Sequence, residues 1–191
     1  MVLNHLIRAA LTNTNHAPRL AYIAPTYKQA KSIAWDYLKF YTKNIPGTKW
    51  NESELRCDLV NGSRITLLSS ENFDSIRGIY LDMVAIDELA QISDPAPVLR
   101  LLSSMRSPDP QIKPRFIATA NPGNIGSLWL FENVISRATP WQPKHNELFN
   151  HEMVICHSTV HNNSYLDVEQ YVATLKASAN NDPAKILAEV W

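Results

Sequence analysis

The chain has 191 residues, 45% of them hydrophobic and 19% charged, with 18 Lys plus Arg balanced by 18 Asp plus Glu. That is apolar material enough for a compact core, and it excludes a disordered tail, a collagen-like chain and a disulfide mini-protein. A net charge of zero excludes long-range steering of a polyanion, so any nucleic acid has to be met by a local basic surface. The apolar runs LAYIA and MVAI fall far short of the roughly 18 to 20 residues that cross a bilayer, and the N-terminus carries no cleavable signal pattern. A soluble intracellular protein without a membrane partner is expected. Cys57 and Cys156 have no second ligand at metal spacing and read as free buried thiols.

The opening VLNHLIRAAL places Leu3, Leu6, Ile7, Ala10 and Leu11 on one helical stripe. No strand or cap precedes it, and it reads as an element whose start has been cut away. RLAYIA, from Arg19 to Ala24, predicts a buried strand, Pro25 and Thr26 break it, and Tyr27 to Lys43 predicts a helix. ELRCDLV and RITLLSS flank Asn61-Gly62, the strongest short-range hairpin signal, and predict an antiparallel insertion. YLDMVAI, from Tyr80 to Ile86, is almost wholly apolar, as a central parallel strand covered on both faces should be, and it ends in Asp87-Glu88. A Pro-flanked helix follows over Val98 to Met105. RFIATA, from Arg115 to Ala120, predicts another buried strand, ending in Asn121-Pro122-Gly123. Beyond it come a helix from Ser127 to Arg137, a strand in EMVICHSTV, and helices over Val168 to Ala177 and Pro183 to Val190, the last with Asp182-Pro183 as cap and first turn. Strands alternating with helices predict an α/β domain with a mainly parallel sheet flanked by helices.

In such sheets ligands bind beyond the carboxyl ends of the strands. A hydrophobic strand delivering Asp-Glu there is the Walker B arrangement, in which Asp87 offers a hard oxygen to Mg²⁺ and Glu88 takes a proton from the water attacking a γ-phosphate. The alternative is a strand end running into the acidic first turn of a helix. Thr119 and Asn121, at the end of the next strand, could detect the γ-phosphate; alternatively, Asn121-Pro122-Gly123 is simply a turn. Arg77, in Ser75-Ile76-Arg77-Gly78, is either a guanidinium aimed at transferring phosphate oxygens or a local ion pair. Lys28, Lys31, Lys39 and Lys43 share an arc of roughly 120° with Trp35, while Ile33, Tyr37, Phe40 and Tyr41 fall opposite. That face either tracks a DNA backbone or is merely solvated. His157 and His161 span a strand end and read as ordinary polar residues. Glycine occurs only at 47, 62, 78, 123 and 126, so the chain holds no GxxxxGK[ST] phosphate cradle.

Taken in order, YIAPTYKQAK, the hairpin, SIRG, YLDMVAIDELAQI, FIATANPGN and HNNSYLD resemble the ATPase domain of the tailed-phage terminase large subunit. The resemblance implies a RecA/ASCE-type P-loop NTPase core, here without its first strand and P-loop, that uses ATP and Mg²⁺. Asp87 would match the metal-binding aspartate and Glu88 the catalytic glutamate. Thr119, Ala120 and Asn121 fall at the motif coupling hydrolysis to DNA movement, and Arg77 falls near an arginine finger. The family also implies double-stranded viral DNA, the small terminase subunit and the portal protein as partners, a homo-oligomeric ring in the full-length parent, and a phage or prophage protein at work in the host cytoplasm. Residues 1–191 are then expected to form a partial ATPase domain without the nuclease domain, and the chain alone is expected to bind ATP very weakly. Two other readings stand beside this one: a catalytically inactive remnant that binds DNA or partner subunits, and a fragment of a helicase-like ATPase.

Overall fold

The computed structural model describes residues 2–71, 73, 79–110 and 112–178. Arg77 with its SIRG loop and the expected helix over Pro183 to Val190 lie outside them. The chain divides into two compact units, Met1–Ala120 and Asn121–Trp191.

The first unit is built on a six-stranded sheet in the order β2-β3-β4-β1-β5-β6. Its strands are β1 (Arg19–Ala24), β2 (Lys49–Asn51), β3 (Arg56–Asp58), β4 (Arg64–Ser69), β5 (Met83–Ile86) and β6 (Arg115–Ala118). β1 pairs in parallel with both β4 and β5, and β5 with β6, while β2 and β3 run antiparallel at one end. Every residue of β5 is buried, and so is all of β1 after Arg19, as expected of aliphatic strands covered on both faces.

The antiparallel hairpin at Asn61-Gly62 forms as expected, and it is continuous with the main sheet. Its second strand, β4, lies in full register against β1 from Arg19↔Arg64 to Ala24↔Ser69. The apolar alternation of RITLLS gives β4 a core side to share with its parallel neighbour. β6 also differs from expectation: its residues are half-buried or exposed, because it is the last strand of the sheet among the described residues. It ends at Ala118, before Thr119.

Helix α1 (Val2–Thr12) buries Val2, Leu3, Leu6, Ile7 and Ala10 against β1, β4 and β5, whereas Leu11, expected on the same stripe, is 44% exposed. Its carboxyl end is held from outside: the Ala10 carbonyl accepts hydrogen bonds from Asn61 Nδ2 at 2.9 Å and Ser63 Oγ at 2.6 Å, which satisfy one of the carbonyls a helix end leaves open.

The second helix starts at a Thr26 capping box with Gln29 and runs through Tyr27–Gln29, a wide π-type stretch Ala30–Trp35, and Asp36–Thr42. The wide turn shifts the phase of everything after it. Trp35 therefore joins Ala30, Ala34, Leu38 and Thr42 on the buried side instead of standing on a lysine face, and the exposed strip is Ile33, Tyr37, Phe40 and Tyr41.

Asp82, just before β5, levels the sheet at its other edge. Its buried carboxylate accepts from the Arg19 main-chain N–H at 2.8 Å and from the Asn15 side chain, and Asn15 Nδ2 also donates to Ser107 Oγ at 2.8 Å. Its main chain bonds to Arg19 O and to Arg115 N. The starts of β1, β5 and β6 are thereby pinned together, so their carboxyl ends emerge level.

In the second unit, the expected helix from Ser127 forms as Ser127–Leu130 followed by a π-type stretch Phe131–Ile135. The long strand expected over EMVICHSTV shrinks to β8 (His151–Met153), paired antiparallel with β7 (Lys144–Asn146). A two-stranded ladder has no neighbour on which to extend. Asn146 joins helix and ladder, donating from Nδ2 to Asn133 O at 2.7 Å and accepting from Phe149 N at 3.0 Å. The helix Val168–Ser178 forms and buries no residue.

Candidate functional site

Parallel registry brings the strand ends together. Ile23 lies opposite Ile86, and Ile86 opposite Ala118. The ladder continues one step past the strands: Asp87 N donates to Ile23 O at 2.8 Å and Thr119 N to Ile86 O at 3.0 Å, while Leu89 N returns to Thr119 O at 2.8 Å. Asp87, Glu88 and Thr119 thus stand side by side at the carboxyl edge, each half-buried.

Asp87 is held from both flanking strands. The phenol of Tyr22, on β1, donates to Asp87 Oδ2 at 2.6 Å, and the hydroxyl of Thr119 donates to Asp87 Oδ1. Thr119 Oγ1 also accepts from the Glu88 main-chain N–H at 3.2 Å, so one hydroxyl joins the two acidic residues. Burial pushes the Tyr22 phenol well above its ordinary range, helped by the hydrogen bond to Asp87 and the nearby charges of Asp87 and Glu88. It stays protonated and donates to the Asp87 carboxylate,.

Glu88 has φ 52° and ψ 49°, the left-handed region that costs a side-chain-bearing residue roughly 1 to 2 kcal/mol. An extended chain would send Asp87 and Glu88 to opposite faces of the sheet; the left-handed turn breaks that alternation. Only a single 3₁₀ turn follows, Leu89–Gln91, and the Glu88 side chain makes no capping bond to it. The alternative of an acidic first helical turn is therefore not what forms. Strained backbone of this kind is concentrated at functional sites.

The donor set suits Mg²⁺, which takes one or two carboxylates and completes its shell with water and phosphate oxygens. Asp87 and Thr119 are such hard oxygens, and no group of three or more His, Cys, Asp or Glu gathers into a cage among the described residues.

The remaining sequence candidates make other contacts. Asn121 is exposed and opens the second unit, where its carbonyl accepts from Asn124 Nδ2. Lys28, Lys31 and Lys43 are exposed, with the Lys43 ammonium 4.1 Å above the Phe40 ring. Lys39 is drawn into a cluster: its ammonium lies 3.0 Å from Glu52 and 3.3 Å from Asp36, over the Trp35 ring. Glu52 also accepts from Trp35 Nε1 at 2.6 Å, and that bond and Lys39 hold its carboxyl below the ordinary range. Of the two thiols only Cys57 is buried, which pushes it up to about 11, whereas Cys156 is exposed. Sequence reasoning missed Tyr22, for which one signal existed: a phenol inside an otherwise aliphatic strand needs a hydrogen-bond partner.

The chain is similar to known proteins in sequence family and in fold. The family model for the phage terminase large subunit matches residues 42–189. Among solved structures, the HK97 bacteriophage large terminase superposes with a TM-score of 0.67 at 14% identity, covering 99% of this chain and 42% of that one. The large terminase of a thermophilic bacteriophage, in complex with ADP, gives 0.64 at 15% identity over 92% of this chain and 40% of that one. The Thermus phage P74-26 large terminase ATPase domain gives 0.58 at 18% identity over 95% and 78%. At these identities the likeness is one of fold, and the chain spans about two-fifths of the length of the first two proteins. No curated protein matches it in sequence. On the family match over most of its length, the chain belongs to the phage terminase large subunit family.

Proposed function

We propose that this chain is part of the ATPase domain of a DNA-packaging motor and that ATP is hydrolysed at the carboxyl edge of β1, β5 and β6. The observation that carries this reading is the Asp87-Glu88 pair at the end of a fully buried strand, the aspartate clamped from both neighbouring strands and the glutamate turned out of strand geometry.

Asp87, with the Thr119 hydroxyl beside it, would hold Mg²⁺, which when bound offsets the charge gathering on the phosphate oxygens during transfer. Glu88 accepts the proton of the attacking water. Thr119 holds the Glu88 main chain and the Asp87 carboxylate together, and Thr119 and Asn121 sense the γ-phosphate. Arg77 supplies a guanidinium to the phosphates, from this subunit or a neighbour in a homo-oligomeric ring. The cargo is double-stranded viral DNA and the docking partners are the small terminase subunit and the portal, in the host cytoplasm where a phage or prophage would be assembled.

The test is Glu88→Gln in the complete large subunit. A general base contributes about 10² to 10⁴ in rate, so ATP turnover falls by that factor while ATP affinity, measured by calorimetry, stays near wild type. Undiminished turnover overturns the assignment of Glu88.

A further inference from the structure

Tyr22 differs from the residues that the sequence singles out, because it sits inside a strand and not at its end. It is 3% exposed, and its companions Leu20, Ala21, Ile23 and Ala24 are all apolar and buried. Core packing alone would accept phenylalanine there. An extra hydroxyl is costly when buried without a partner, and this one donates to Asp87 Oδ2.

The consequence falls on the carboxylate. The last torsion of a free aspartate is broad and roughly two-fold. Here Tyr22 reaches one oxygen from β1 and Thr119 reaches the other from just past β6, so rotating the group breaks at least one of the two bonds. Tyr22 lies opposite Ala85 in the parallel register, two residues before Asp87 on the same face of β5,. Its ring is thereby fixed by the sheet itself.

We propose that Tyr22 is a positioning residue, setting the rotation of the Asp87 carboxylate and with it the ability of Asp87 to hold a divalent cation. This rests on the reading of Asp87 as the cation-binding residue. Carboxylates that ligate metals are themselves hydrogen-bonded, and removing such a partner typically costs about 10- to 100-fold in metal affinity.

The test uses the whole chain with Mn²⁺ alone as the probe, followed by paramagnetic broadening of the amide signals of Asp87, Glu88 and Thr119. Wild type broadens at these positions and Asp87→Asn does not. Tyr22→Phe raises the Mn²⁺ midpoint about ten-fold or more, with a melting temperature within a few degrees of wild type; 3-fluorotyrosine at position 22, which keeps the donor, restores the wild-type midpoint. Tyr22→Leu gives a second comparison should the phenylalanine variant lose its fold. A wild-type midpoint in the folded Tyr22 variant, with the signal still lost in Asp87→Asn, overturns the role of Tyr22 and leaves Asp87 standing. Broadening that is absent in wild type, or unaffected by Asp87→Asn, overturns both.

Discussion

A glutamate at φ 52° occupies a conformation that glycine adopts freely, and strain at a half-buried carboxylate beside a clamped aspartate is a cost borne by the site. Glu88→Gly relieves about 1 to 2 kcal/mol of backbone strain and returns about 0.5 to 1 kcal/mol to the unfolded chain as entropy. The variant should therefore unfold in urea with a free energy about 0.5 to 1 kcal/mol higher than wild type; a lower value removes strain from the account. A catalytic reading adds that this stabilised variant is inactive, the trade-off expected where a site is shaped for chemistry. At this scale the sequence was legible in part. The place of Asp87 and Glu88 at a strand end could be read because an apolar run ended in two acids, and that of Thr119 because the next strand also ended in polar residues. Tyr22 was not, because its role depends on which strand lies beside β5, and strand order is a non-local property.

Among the elements, the hairpin turn best separates local from distant causes. Asn61-Gly62 announced the turn, since Gly62 sits at φ 84° where other residues are strained. What the dipeptide could not announce is that a Cβ on Gly62 would lie 3.1 Å from the His16 carbonyl oxygen, or that Arg19 Nη1 reaches the Gly62 carbonyl. Gly62→Ala should thus lose about 1 to 3 kcal/mol in urea unfolding, with an unchanged m-value. A loss below about 0.5 kcal/mol, roughly the scatter expected of a surface substitution, means the connector at His16 gives way. The second helix teaches a related lesson. A uniform turn of about 100° per residue put Trp35 among the lysines, and one wide turn was enough to carry it into the core. Periodicity extrapolates poorly across such a turn, because each extra residue rotates all that follows.

For the molecule as a whole, alternation of strand and helix predicted the α/β class and the mainly parallel sheet, and it did so because burial on both faces leaves few polar residues in β1 and β5. It misjudged the edges: β6 is half-exposed and β8 short, since a run of apolar residues does not disclose how many neighbours its strand will have. Charge belongs to this scale too. With no net charge, any contact with DNA would have to come from local cations, and Lys39 is already engaged by Glu52 and Asp36. If Lys28, Lys31 and Lys43 contact DNA phosphates, reversing each to Glu should flatten the slope of log affinity against log salt by about 0.9 in filter binding at two or more salt concentrations, while Lys39→Glu should change it less. Equal slopes for all four variants dismiss the lysine surface.

The joint at residues 61–63 imposes a rule on the whole chain. Hairpin tips are ordinarily where proteins tolerate added length most readily. Here Asn61 and Ser63 both reach back to one peptide oxygen at Ala10. Adding a single residue between them would withdraw one donor or both, fraying the end of α1 and loosening its tether to the start of β4. This tip is therefore closed to growth, and variation in loop length must find room elsewhere.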